Sequence, residues 1–121
     1  MSKKLLSKAQ ILSSDDLETV DVEIPEWKDE DGNPGVVRLQ SLTGEGIVSF
    51  SNQTDAQKKN SAVRIIAMCA VDEAGNLLFT EDEVAAIQKK SIKAILRLQE
   101  AAMKLNGMNA DKKEEDKLKN A

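Results

Sequence analysis

The amino-acid sequence predicts an α+β fold: an N-terminal antiparallel β-hairpin packed on a small cluster of helices, a second short hairpin near residues 71–79, and a long C-terminal helix. Three patterns carry this prediction. Apolar and polar side chains alternate in two stretches, Glu18–Ile24 and Val36–Leu42, on either side of a run of turn formers. Two capping boxes, Thr54-x-x-Gln57 and Thr80-x-x-Glu83, open stretches of helical period. From Ser91 the apolar residues recur at three- and four-residue spacing until Gly107, a glycine placed to stop a helix.

Each element has its own warrant. Leu5, Leu6, Ala9, Ile11 and Leu12 line one side of a turn or two of helix. Val20, Val22 and Ile24 alternate with Thr19, Asp21 and Glu23 in a half-buried strand that Pro25 is expected to close. Lys28 to Gly35 is rich in Asp, Gly, Asn and Pro and reads as the hairpin turn. Val37 and Leu39 then face the same way as the first strand's apolar set, and an isolated hairpin is marginal in water, so that face needs a cover. Thr43 caps a short helix to about Ser51, weakened by Gly44, Gly46, Ser49 and Ser51. The helix opened by Thr54 is expected to run unbroken to about Cys69 through Val63, Ile66 and Ala67. Asp72-Glu73-Ala74-Gly75-Asn76 is a turn between two short apolar runs, and the helix from Thr80 continues through Val84 and Ile87. The last helix is capped by Ser91. Its expected apolar face is Ile92, Ile95, Leu96, Ala102 and Met103, broadened by Leu98 and Leu105. One domain over residues 1–107 follows, with a charged tail over 108–121 whose only large apolar residues are Met108 and Leu118; that tail is expected to be disordered.

Composition narrows the function classes. The chain has 121 residues, a net charge of −4, no histidine and no tyrosine, and Trp27, Phe50 and Phe79 are its aromatics. Without histidine there is no Ser–His or Cys–His catalytic pair and no His metal site. Cys69 stands alone, which fits a reducing cytosol, and no apolar run approaches the ~20 residues that span a bilayer. Asp29-x-Asp31-x-Asn33 opens like a calcium loop, but Pro34 and Gln40 occupy the places of the required glycine and glutamate. Gly44-x-Gly46 lacks the remainder of a phosphate-binding loop. Cys69 lies in an apolar stretch with no base to activate it. No enzyme, cofactor or metal site is expected.

Charge is segregated. Lys3, Lys4 and Lys8 precede a stretch, residues 15–31, with nine acids against Lys28. The last helix carries Lys90, Lys93, Arg97 and Lys104 on a stripe expected to lie opposite Ile92, Leu96 and Met103. With the helix from Thr80, that stripe can be read as a helix-turn-helix, so a small DNA-binding regulator is one alternative function. Nucleic acid is not the expected partner, because the first half is acidic and stacking aromatics are absent.

The order of segments resembles the tail assembly chaperones of long-tailed, siphovirus-type bacteriophages. The residues that carry the resemblance are Leu5-Leu6-Ser7-Lys8-Ala9-Gln10-Ile11-Leu12, Asp16-Leu17-Glu18-Thr19 leading into Val22-Glu23-Ile24-Pro25-Glu26-Trp27, Val37-Arg38-Leu39 with Leu42-Thr43-Gly44, Val71 to Thr80, and Ser91 to Leu105, together spanning about residues 4–107. The departure is Glu45-Gly46-Ile47-Val48-Ser49-Phe50, where the family continues with a charged, well-formed helix. The resemblance implies a chaperone that binds the phage tape measure protein, keeps it soluble and helps recruit tail tube protein during tail morphogenesis. It also implies a site of action in the bacterial cytoplasm, absence from the finished virion, and a longer form made by ribosomal frameshifting; Lys112-Lys113 could be encoded by a slippery run of adenines, and Asp111 to Lys117 reads equally as a solvated extension of the last helix. A structural tail or head–tail component is the other alternative. Such a chaperone needs exposed apolar surface with a polar rim. The candidate partner-binding residues are Leu5, Leu6, Ile11 and Leu12, with Ile47, Val48 and Phe50. Head-to-tail homo-oligomers are a further expectation of the charge segregation.

Overall fold

A computed structural model describes residues 3–108. Apart from Met108, the tail expected over 108–121, including Lys112-Lys113, lies outside them. The elements in chain order are α1 (Lys8–Leu12), β1 (Thr19–Lys28), β2 (Pro34–Gln40), α2 (Gly44–Ser51), α3 (Asp55–Lys58), α4 (Ser61–Cys69), β3 (Ala70–Val71), a 3₁₀ turn (Glu81–Glu83) running into α5 (Val84–Ile87), and α6 (Ile92–Leu105). This is the α+β architecture the sequence predicts, with one addition: β3 joins the hairpin to make a three-stranded antiparallel sheet in the order β1-β2-β3. No helix among the described residues is long and apolar enough to cross a membrane.

Period-2 alternation sets the sheet's two faces. Val20, Val22 and Ile24 lie opposite Leu39, Val37 and Gly35; burial rises along β1 to Ile24 and along β2 to Leu39, so the two fully enclosed residues stand toward opposite ends of this face. On the other face Asp21 pairs across the strands with Arg38, whose Nε and Nη2 donate to the two carboxylate oxygens at 2.7 and 3.1 Å. Pro25 does not end β1. The strand continues to Lys28 through an irregularity in which the register slips between Ile24 and Lys28. β1 is an edge strand, where a proline removes no hydrogen bond the sheet needs. The slip brings the Trp27 carbonyl against Gly35, where an added Cβ would lie 2.6 Å from that oxygen.

Both hairpins turn by the same chemistry. In Asp29-Glu30-Asp31-Gly32-Asn33, the Asp29 carboxylate accepts the N–H groups of Asp31 and Asn33, each at 2.9 Å. In Asp72-Glu73-Ala74-Gly75-Asn76, the Asp72 carboxylate accepts those of Ala74 and Asn76 at 2.9 and 3.0 Å. Gly32 and Gly75 take positive φ values of 82° and 86° at the equivalent positions. The second turn is closed by a bridge between Val71 and Leu77, so the hairpin expected near 71–79 is present in minimal form.

The helix expected from Thr54 to Cys69 is two helices. Thr54 and Gln57 form their capping box, but the backbone opens at Lys59–Asn60 and α4 starts anew, with the Asn60 carbonyl accepting from both Val63 and Arg64. The Asn60 side chain is engaged by Gln88, a contact between α4 and α5 that the sequence gives no sign of. The 3₁₀ turn is likewise boxed, the Thr80 N–H donating to the Glu83 carboxylate at 2.8 Å.

α6 covers the sheet. Its buried residues are Ala94, Ile95, Leu98 and Ala102, so the core face is centred on Leu98 and flanked by alanines. The expected face is corrected on two residues: Ile92 is 64 % exposed and Leu96 51 %. The two alanines explain the shift, because small side chains let α6 approach its neighbours closely, and an apolar count on a helical wheel gives such positions too little weight. The basic stripe is corrected with it. Lys90 precedes the Ser91 cap and is not on α6, and Lys93, Arg97 and Lys104 lie about 100° round the helix from Ile92 and Leu96, on a flanking arc rather than the opposite side. Arg97 is held by Glu26, its Nε and Nη2 donating at 2.9 and 3.2 Å. The helix ends in a Schellman motif: Gly107 at φ 69° donates to Lys104, and the Met108 N–H donates to the Met103 carbonyl at 2.7 Å. Met108 packs against the core.

Two predictions follow from this packing. Gly35→Ala drives a Cβ into the Trp27 carbonyl and should lower stability by about 1–3 kcal/mol, measured by denaturant unfolding; an unchanged midpoint would show that the register slip is soft. The Arg97 and Arg38 hydrogen bonds hold the Glu26 and Asp21 carboxyls below the ordinary carboxylate range. Their stabilisation is complete above that range, roughly pH 4, and is lost as pH falls through the lowered values. The thermal midpoint of Glu26→Gln should therefore fall less than wild type between pH 5 and about 2; parallel curves would contradict the assignment.

Candidate functional site

The apolar residues proposed to meet a partner fall on two segments that leave the sheet at one end. Every residue from Lys3 to Asp16 is exposed, and α1 buries none of its five residues. Its helical turn is held by local bonds, a capping box in which Ser7 and Gln10 exchange side-chain and backbone hydrogen bonds at 2.8 and 3.1 Å. Leu5, Leu6, Ile11 and Leu12 are all open to solvent, Leu5 completely. The arm enters the sheet at Glu18, whose N–H donates to Ser41 Oγ and whose carbonyl accepts the Ser41 N–H. Ser41 leads directly to Thr43, the cap of α2, whose hydroxyl accepts the Gly46 N–H at 3.0 Å. Arm and α2 thus emerge from the same end of the β1–β2 pair.

On α2 the three candidates separate. Val48 is 58 % exposed and Ile47 is exposed to a lesser degree, whereas Phe50 is half-buried and packs against the core. Beside α2 a cavity of about 390 Å³ opens between the end of β2 and the second hairpin, with Leu42, Met68, Val71 and Leu77 as its apolar lining and Gln40 and Glu45 at its edge. Leu77 and its neighbour Leu78 are exposed. Neither was a sequence candidate. Their position in a two-sided turn is the signal: the backbone bonds Asp72–Asn76 and Leu78–Ala70 commit the chain to the hairpin and leave both side chains outside the core.

The groups with chemical potential serve the fold. Cys69 is buried, which pushes its thiol above the usual range, and its sulfur accepts from Asn106 Nδ2 at 3.5 Å. Asn106 also accepts the Leu42 N–H at 2.7 Å, tying the end of α6 to the segment that leads into α2. Arg64, unmarked in the sequence, is buried; its Nε donates to Glu81 at 2.8 Å and its Nη2 to Ser49 at 3.2 Å, joining α4, the 3₁₀ turn and α2. The acidic turn at Asp29 spends a carboxylate oxygen on two backbone N–H groups.

Because the arm buries nothing, replacing Leu5 and Leu12 by serine should leave unfolding free energy within about 0.5 kcal/mol of wild type. A loss above about 1.5 kcal/mol in the monomer would mean that the arm packs on the domain.

No protein-family profile and no curated protein matches this sequence. Among solved structures, the fold is similar to that of the bacteriophage HK97 tail assembly chaperone, with a TM-score of 0.57 and 19 % sequence identity over 80 % of this chain and 90 % of that one. The chain has the fold of a phage tail assembly chaperone.

Proposed function

We propose that this chain is a phage tail assembly chaperone: it binds the tape measure protein, keeps it soluble and helps recruit tail tube protein during tail morphogenesis. The observation that carries this reading is the shared fold with the HK97 chaperone over most of both chains. The exposed apolar set on the arm and α2 supports it, since such surface on a folded domain marks a place for a partner. In this reading the chain works in the bacterial cytoplasm without enzymatic activity, is absent from the finished virion, and has a frameshifted longer form and further copies of itself among its partners. The DNA-binding alternative is weakened by the Glu26–Arg97 ion pair, which occupies the middle of the basic stripe it would use. The structural-component alternative is separated by the protein content of purified virions.

Co-expression with the tape measure protein of the same phage is the test. That protein should stay in the soluble fraction and co-purify with this chain. Equal pelleting with and without the chain would refute the proposal.

A further inference from the structure

α6 carries a second apolar surface, distinct from the arm and from the cavity beside the second hairpin. Ile92, Leu96, Gln99 and Met103 stand at i, i+4, i+7 and i+11, one line along the helix of about 16 Å. Ile92 and Leu96 are more than half exposed. The line runs into a cavity of about 240 Å³ between α6, α4 and α2, walled by Phe50, Ala62, Ile65, Gln99, Met103 and Met108. Two methionines and an aromatic ring make an adaptable apolar lining.

The rim of this groove is basic. Lys93 and Lys104 flank the line on α6, and Lys58 and Lys59 stand three and two residues before Ser61, which lines the cavity; all four are exposed. The three salt bridges among the described residues all use arginines, so none of these lysines is held in one, although Lys93 is near enough to Glu26 to act on its carboxyl. Glu100, the sole acid on α6, stands between Lys93 and Lys104 on the same arc, and two lysines against one glutamate leave that side net basic. We infer that this groove docks an amphipathic helix of a partner protein, one that presents an apolar stripe flanked by glutamate or aspartate. The length and helical spacing of the line suit the helix-in-groove mode, and the charge rim selects the sign of the flanks. The chain's own arm is a poor occupant, because Lys3, Lys4 and Lys8 would meet the lysine rim. A concave cavity that admits one inserted side chain likewise suits a helix better than an anionic lipid surface. Under the chaperone reading the helix belongs to the client; the docking itself rests on the groove alone.

The experiment uses the full chain, methyl-labelled at Ile, Leu and Met, titrated with two designed 18-residue helical peptides. Both carry one leucine stripe; one is flanked by glutamates and the other by lysines. The glutamate peptide should move the Ile92, Leu96 and Met103 methyl resonances and bind at least tenfold more tightly than the lysine peptide. Leu96→Glu should weaken it at least tenfold, and Lys93→Glu with Lys104→Glu should reverse the preference; both change exposed positions, and circular dichroism checks that the fold is kept. Equal affinity for the two peptides, or shifts confined to other methyls, would overturn the inference. So would co-sedimentation with phosphatidylglycerol vesicles without peptide binding, or an oligomer of this chain that Leu96→Glu disperses. The tape measure co-expression is scored separately: its failure sinks the chaperone reading and leaves the peptide result standing, while its success beside a silent titration sinks the groove alone.

Discussion

The structure depends on the burial of α6 between the sheet and α4. Ala94, Leu98 and Ala102 are enclosed almost completely, together with Ile24 and Leu39 from the strands and Ile65 and Ile66 from α4. A hairpin alone cannot hold its apolar face away from water, and an exposed helix of fourteen residues is marginal by itself, so each element is stable chiefly through the other. Fully burying a residue of Leu98's size is worth roughly 2–3 kcal/mol, and the two alanines allow the close approach that makes this burial complete. Asn106 then fastens the far end of α6 to Leu42 and Cys69. The position of α2, and with it one of the exposed apolar sets, follows from that attachment.

The polar interactions divide by location. At turns and helix starts they are local, linking residues two to four apart, and they satisfy backbone groups that would otherwise lack partners. Between elements the ion pairs are arginine-based, Arg38 with Asp21, Arg64 with Glu81 and Arg97 with Glu26, beside neutral links such as Asn106 to Leu42 and Gln88 to Asn60. The guanidinium's planar fork suits such bridging, and the lysines are left at the surface. A chain of net charge −4 therefore presents acid on its hairpin and lysines outside any ion pair around α6, a separation that favours oriented encounters with partners.

Apolar surface persists in three places: the arm, the neighbourhood of α2 and the second hairpin, and the outer line of α6. Small domains always leave some apolar atoms exposed. Here the exposed leucines and isoleucines occur in sets, on segments whose backbone is already satisfied by capping boxes and turn bonds. Their exposure thus costs the fold little, which is what a surface reserved for a partner requires.

Features that rest on local chemistry could be read from neighbouring residues in the chain. The alternating strands, the Asp-x-x-Gly-Asn turns, the Ser, Thr and Ser–Gln caps and the glycine at the end of α6 each satisfy backbone geometry within a few residues, and all are where their residue types place them. The arm was legible as a candidate partner-binding segment through Leu5, Leu6, Ile11 and Leu12. Which way longer elements face, and where they break, was set by packing. Pro25 stays within β1 because that strand is at an edge; the chain restarts at Asn60 where Gln88 engages it; Ile92 and Leu96 turn outward because Ala94 and Ala102 take the close contacts. β3, Arg64 and the hold of Asn106 on Leu42 depend on residues far apart in the chain. Local hydrogen bonding is encoded within a turn of backbone, whereas facing and docking are settled by which surfaces fit together, and that fit exists only once all the elements are present.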